Sequence, residues 1–317
     1  MGTAKIWDEI VKTPIHPAMK NRQFRVAAGC ELLPYLISLR SGLSRKQAKE
    51  LLRFHAVTVE GKAEVKHDTR LKAGDLVTIA ARGHPRAAAP ELHGLRIVHL
   101  DDAIVVVNKP AGLLSMGSER EKNRTAHRIL NEHLKAVANS KAQQAFIVHR
   151  LDRDTSGLMM FARSELIQVA LQGNWKAVTK KYFAVVEGQP SNPRGTLTDN
   201  LIESRSMMVR RVDKGGEVAI THYRVLARHA HRALLELTLA TGRKHQIRVQ
   251  LAGLGHPVVG DRRYGAKTDP AQRLALHSCA LSFHHPVSGE AIELRRPCRT
   301  ALKLCWKTAE GAATNRA

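Results

Sequence analysis

The densest chemistry in the chain lies at residues 149–157, His-Arg-Leu-Asp-Arg-Asp-Thr-Ser-Gly. Arg150, Asp152, Arg153 and Asp154 fall within five positions there. Cations beside Asp152 lower a carboxylate's pKa and keep it ionised. An ionised carboxylate serves as nucleophile or as base. The same residues also suit an ordinary surface turn with local ion pairs, and structural pairs perturb carboxylates too. On composition alone both readings of the loop stay open.

Two short apolar strands at 145–148 and 158–161 must hold this loop, and loops carried by flanking strands commonly present catalytic side chains. Further strands are expected at 97–100, 104–107, 182–186, 196–202, 219–226 and 234–239, with Asp101 and Asp102 in a hairpin turn. Thr125 caps a helix bearing Ile129, Leu130, Leu134 and Val137. A second helix over 244–254 puts Ile247, Leu251 and Leu254 on one face. Strands and helices in this order, joined by short turns, predict an α+β domain over 95–307 with a mixed or antiparallel sheet flanked by helices.

A smaller α/β unit is expected before it, at 23–82. Residues 32–39 form a short helix, and Ser44 with Gln47 makes a capping box for another. On that second helix Ala48, Leu51 and Leu52 form an apolar stripe, while Arg45, Lys46, Lys49 and Arg53 face elsewhere. Simple solvation and contact with a polyanion both explain the basic face. Residues 57–59 and 76–80 alternate as strands, and Glu60-Gly61 reads as a turn. Residues 1–22 form an extension, the Pro/Ala-rich run at 83–94 a linker, and 308–317 a flexible tail.

The charge balance points to a partner. Lys and Arg total 51 against 28 Asp and Glu, a net charge of +23, and the basic residues are spread along all 317 positions. Such a surface attracts nucleic acid first and an anionic membrane second. Cys30, Cys279, Cys298 and Cys305 have neither zinc nor disulfide spacing, so free thiols in a reducing compartment are expected. No apolar run is long enough to span a bilayer, and charges stand where a signal peptide needs an apolar core. A cytoplasmic protein without a membrane association is the expectation. No phosphate-binding or dinucleotide glycine pattern occurs. His229 and His231 alternate on one strand, with no third metal ligand evident. Neither a cofactor nor a metal is expected.

The spelling of the motifs sharpens this reading. His149-Arg150-Leu151-Asp152-Arg153-Asp154-Thr155-Ser156-Gly157-Leu158 resembles the HRLDxxTSGL signature of the RluA-type pseudouridine synthases. Val107-Asn108-Lys109-Pro110-Ala111-Gly112-Leu113 resembles that family's opening. Lys181-Tyr182-Phe183-Ala184 through Gly188 and Ala219-Ile220-Thr221 resemble further elements, in family order. Thr241-Gly242-Arg243-Lys244-His245-Gln246-Ile247-Arg248, then Gly255 to Asp261, Tyr264-Gly265, Leu276-His277 and His285-Pro286 resemble the remainder. Ser44 to Ala48, Ala56 to Lys62 and Leu71 to Asp75 resemble an S4 RNA-binding domain, which usually carries Asn where this chain has Glu60. A second departure is Ser115-Met116-Gly117, where the family often has an apolar residue followed by His-Pro.

The resemblance implies an enzyme that isomerises uridine to pseudouridine in structured ribosomal or transfer RNA, without redox step or cofactor. It implies that Asp152 is the catalytic carboxylate, leaving open whether it attacks the ribose C1′ or takes a ribose proton. Arg248 would pair with Asp152 and Tyr182 would contact the target base. Arg150 would fill the gap when the nucleotide flips out. His149 and Arg243 would line the entrance or equally serve the structure, and Arg45, Lys46 and Lys49 would meet phosphates. A monomer needing no protein partner is the expectation. The competing reading is a non-catalytic RNA-binding or ribosome-assembly protein. A hydrolase would want a second carboxylate near Asp152; Asp154 is adjacent, and Asp261 is remote in sequence.

Overall fold

A computed structural model of the chain describes residues 22–39, 45–53, 57–63, 66–79, 91–92, 94–117, 121, 124–138, 144–296 and 305–306. Most of the expected extension, the Pro/Ala-rich run, the tail and the Ser44 capping box lie outside them. The chain folds as two compact units, meeting in sequence between Ala89 and Pro90.

The first unit comprises β1 (Arg22–Arg25), β2 (Cys30–Glu31), α1 (Leu32–Ser38), α2 (Arg45–Arg53), β3 (Val57–Val59), β4 (Lys62–Ala63), β5 (Arg70–Leu71) and β6 (Leu76–Ile79). Four strands form a sheet in the order β1-β6-β3-β4, and β2 pairs with β5. Ala48 and Leu52 of α2 are buried with Leu32, Leu36 and Val77, whereas Arg45 and Lys49 are exposed. The apolar stripe therefore sets the packing face and leaves cations outward. Glu60 and Gly61 both have positive φ, 48° and 75°, which gives the β3–β4 hairpin its tight turn.

The second unit contains β7 (Glu91–Leu92), β8 (Leu95–Leu100), β9 (Ile104–Lys109), α3 (Ala126–Ala138), β10 (Phe146–Ile147), β11 (Ser156–Ala162), α4 (Glu165–Gly173) and β12 (Thr179–Glu187). It continues with β13 (Arg194–Glu203), β14 (Val209–Val212), β15 (Glu217–His229), β16 (Arg232–Leu239), α5 (Gln246–Gly253), β17 (Leu276–His284) and β18 (Ala291–Arg295). Twelve strands form one sheet among the described residues, ordered β14-β13-β15-β16-β12-β17-β11-β9-β8-β7, with β10 beside β11 and β18 beside β17. Every pairing is antiparallel except β11 with β17. The fold is thus α+β with a mixed sheet.

Strands β9 and β11 are covered on both faces, which is why they read as continuous apolar runs rather than alternating ones. Val105, Val107, Met159 and Phe161 pack on the side of α3 and α5. Ile104, Val106, Leu158 and Met160 pack against Leu171 of α4 and Phe283 of β17. Trp306 and Cys305 are buried in the α3/α5-side core, and the Arg232 guanidinium donates to the Cys305 carbonyl. Thr125 caps α3, its Oγ1 accepting from the Arg128 amide at 3.2 Å. Two expected core positions are not in the core. Val137 is exposed because the last turn of α3 runs past its buried residues, and Leu254 is half-exposed just beyond α5. Helix α4 and strands β14, β17 and β18 are additional to the expected set.

The junction of β11, β17 and β12 positions the site. Gly157 pairs with Ser278 at φ 118°, and a Cβ there would stand 2.2 Å from the Ser278 carbonyl oxygen. Only glycine permits that approach. On its other edge β17 pairs Ser278 with Tyr182, where the register slips between Lys181 and Tyr182. A bulge of this kind re-aims a side chain.

Candidate active site

The loop between β10 and β11 is held from beneath by the turn that follows β9. Lys109 is fully buried, and its Nζ donates to the carbonyls of Pro110 at 3.0 Å, Leu113 at 2.7 Å and Arg153 at 2.9 Å. Ser115 Oγ donates to the Leu151 carbonyl at 2.6 Å and accepts from the Leu151 amide at 3.0 Å. Gly112 N donates to the Arg153 carbonyl at 2.9 Å. The 107–115 segment thus fixes the backbone on both sides of Asp152.

Burial pulls the Lys109 amine down to about 7, against raising contributions from Asp154 and Asp152; Arg273 adds to the lowering. Its folded pKa therefore lies below its unfolded one, and the native state binds fewer protons between about 7 and 10.5. Stability then rises with pH across that window and is lowest below it. We expect denaturant unfolding of the native chain to show this gain between pH 7 and 9.5, and Lys109→Met to lack it. An equal gain in both would refute the assignment.

Asp152 is partly exposed, its side chain 24% accessible, and Arg248 Nη1 stands 3.4 Å from its Oδ2. The cation that meets Asp152 comes from α5, not from the loop's own arginines. Arg153 is turned to Asp154 at 3.1 Å, and Arg150 is exposed, with Nη1 3.9 Å from Met116 Sδ. Arg248 is buried and is gripped by a second carboxylate. Its Nε and Nη2 donate to Asp261 Oδ2 and Oδ1 at 2.7 and 2.8 Å. Burial opposes the guanidinium's charge, but the bonds and charge of Asp261, with those of Asp152, outweigh it and raise the pKa. Such a bidentate pair fixes orientation as well as charge.

Tyr182 is buried on β12, and burial pushes its phenol up; the Ser278 hydroxyl lowers it and the Asp152 charge raises it. The phenol is therefore neutral and can donate. His245 stands 3.9 Å from Asp152 Oδ2 through Nε2, and its Nδ1 lies 2.7 Å from Tyr264 Oη. The Arg248 guanidinium lies over the Tyr264 ring at 5.0 Å. Helix α5 is seated by buried polar contacts. Gln246 Nε2 donates to the Ile220 carbonyl at 3.0 Å and to Thr221 Oγ1 at 2.9 Å, and Thr221 Oγ1 donates to Gln250 Oε1 at 2.7 Å. The Ala219-Ile220-Thr221 segment thus anchors the helix that carries Arg248.

The structure brings Asp152, Arg248 and Tyr182 together. Other expected residues are placed differently. His149 is not a free entrance group: its ring stacks on Trp175 at 4.4 Å, and its Nε2 accepts from the Met160 amide at 2.9 Å. Burial pushes that imidazole down to about 3, so it is a neutral brace beneath the loop. Arg243 is held at the β15 edge, donating to Glu217 Oε1 at 2.6 Å and to the Val218 carbonyl at 3.2 Å. Arg45 and Lys49 are exposed on the first unit, and the Lys46 side chain lies outside the described residues. His229 lies beside Trp306 and His231 is exposed. Among the described residues no three His, Cys, Asp or Glu side chains cluster as metal ligands. Lys109, His245, Asp261 and Tyr264 are the additions. All four lie within the motif blocks, but only the fold reveals which way each points.

Residues 103–253 match the RNA pseudouridylate synthase family. The chain is 35% identical over 244 residues to the uncharacterized RNA pseudouridine synthase YhcT of Bacillus subtilis, spanning 75% of this chain and 80% of that one. It is 34% identical over 281 residues to ribosomal large subunit pseudouridine synthase D of Vibrio cholerae, spanning 82% and 85%. The solved structure of human RNA pseudouridylate synthase domain containing 4 superposes with a TM-score of 0.54 at 28% identity, covering 63% of this chain and 87% of that one.

Proposed function

The chain belongs to the RluA-type RNA pseudouridine synthase family, and on that premise we propose that it isomerises a uridine of ribosomal RNA with Asp152 as the essential carboxylate. The observation that carries the residue assignment is the Asp152–Arg248–Asp261 arrangement, in which a buried guanidinium is fixed by one carboxylate and offered to another. The reaction breaks the bond from C1′ to N1 of uracil and forms one from C1′ to C5. The C5 hydrogen leaves as a proton, so no electrons are exchanged. Asp152 acts at the ribose as nucleophile or base, Arg248 orients it and meets its charge, and Tyr182 packs on the base with its hydroxyl available for proton transfer.

The target nucleotide must leave its stack to reach Asp152. Exposed Arg150, beside Asp152 in the loop, is the group we assign to the vacated space. The first unit, with Arg45, Lys46 and Lys49 on α2, is read as an S4-like RNA-binding domain whose phosphate contacts add salt-sensitive affinity. Ribosomal RNA is favoured over transfer RNA by the name of the Vibrio cholerae relative. A cytoplasmic monomer that needs no protein partner completes this reading; among the described residues no helix is long and apolar enough to cross a membrane.

The test is tritium release from 5-tritiated uridine in large-subunit ribosomal RNA, small-subunit ribosomal RNA and transfer RNA. Release is expected from the large-subunit transcript. Tight, salt-sensitive binding without release from any of the three would replace this reading with a binding protein.

A further inference from the structure

His245 has no task in the reaction as described, yet its setting is specific. It stands at the N-terminus of α5 with φ 52°, a left-handed conformation uncommon outside glycine. Strained residues of this kind cluster at functional sites. Its ring is buried. The Tyr264 oxygen accepts from the Val209 amide at 3.3 Å, so the phenol's hydrogen is free to point at His245 Nδ1, 2.7 Å away. With the phenol donating, Nδ1 is the acceptor and the ring's proton sits on Nε2. That is the atom facing Asp152 Oδ2.

Resting on the assignment of Asp152, we propose that His245 is a positioning residue: a neutral imidazole whose Nε2–H, set by Tyr264, donates to Asp152 Oδ2. Arg248 Nη1 addresses the same oxygen. Once both donate to Oδ2, with none on Oδ1 among the described residues, the carboxylate would present Oδ1 to the ribose. The present separation of 3.9 Å exceeds a hydrogen bond, and such contacts commonly tighten when substrate closes the site. Burial favours the neutral ring; Asp152 opposes that, while Arg248, Arg263 and Lys244 add to it. Asp152 is faced by Arg248 and His245 from α5, Lys109 from β9 and Tyr182 from β12.

The experiment measures single-turnover tritium release from 5-tritiated large-subunit ribosomal RNA across pH. It compares native protein, His245→Ala, His245→Gln, Tyr264→Phe and the His245→Ala/Tyr264→Phe double variant. Loss of one hydrogen bond to a charged group predicts that His245→Ala slows the saturating rate about tenfold. The half-saturating protein concentration is expected to stay within about twofold, since the uniform binding contacts are untouched. His245→Gln restores most of the rate through its Nε2–H. Tyr264→Phe lowers the rate by releasing the tautomer, and the double variant is no slower than His245→Ala alone.

Ring-nitrogen NMR of the free protein gives a substrate-independent reading, with Nδ1 bare and Nε2 protonated. Additive losses in the double variant, no rescue by His245→Gln, or a protonated Nδ1 would overturn the proposal. If the native protein releases no tritium from any RNA, the functional reading falls instead, and the nitrogen spectrum still decides the tautomer.

Discussion

Asp152→Asn lowers tritium release by at least about a thousandfold, the scale expected when an essential nucleophile or base is lost. The side chain keeps its size and loses its charge. Arg248 is not orphaned by the change, because Asp261 retains it through two bonds of 2.7 and 2.8 Å. The backbone is fixed independently, by Lys109 at the Arg153 carbonyl and by Ser115 at Leu151. The variant should therefore melt close to the native temperature and bind RNA with the native salt dependence. Release within about tenfold of native, from protein that is folded and binds, would remove Asp152 from the centre of the mechanism.

Asp261→Ala produces the largest expected loss of stability. Among the described residues it leaves a buried guanidinium with Asp152, at 3.4 Å, as its one carboxylate. Breaking a buried pair by removing one partner costs about 3–5 kcal/mol. In a unit of this size that lowers Tm by roughly 10 °C. Replacing both partners with apolar residues of similar volume, Arg248→Met with Asp261→Leu, should recover most of the stability, because no charge is then stranded. The double variant should nevertheless release no tritium, since Asp152 has lost its cation. A melting temperature unchanged in Asp261→Ala would show that the pair is not what holds this side of the site.

How much of this was legible beforehand depended on sequence distance. The loop at 149–157 is contiguous, so its carboxylate and flanking strands could be read directly. The runs in β9 and β11 identified themselves by unbroken apolar character. The cation was another matter: residue types alone suggested Arg150 and Arg153, while the structure uses Arg248, 96 positions away. Only resemblance supplied that pairing. Asp261 reads in sequence as one more loop acid, and nothing local marks it as fully buried against a guanidinium. Helix α4 escaped notice because Leu166 and Val169 are 84% and 68% exposed, which blurs the apolar face. Strand β17 is masked by small and polar residues that pack tightly around Gly157 and Tyr182.

Among the described strands the one parallel pairing joins residues separated by more than a hundred positions, Ser156 with His277 and Gly157 with Ser278. Synthesis runs from the N-terminus, so an emerging chain displays the Asp152 loop long before it has α5, Asp261 or the strand on which Gly157 rests. Trp306, which completes the core, arrives later still. A partly made chain thus carries Asp152 without the guanidinium that meets it. The loop is seated only after residues 248–278 have been made, so a nascent chain that stops short of them holds Asp152 without its cation or its supporting strand.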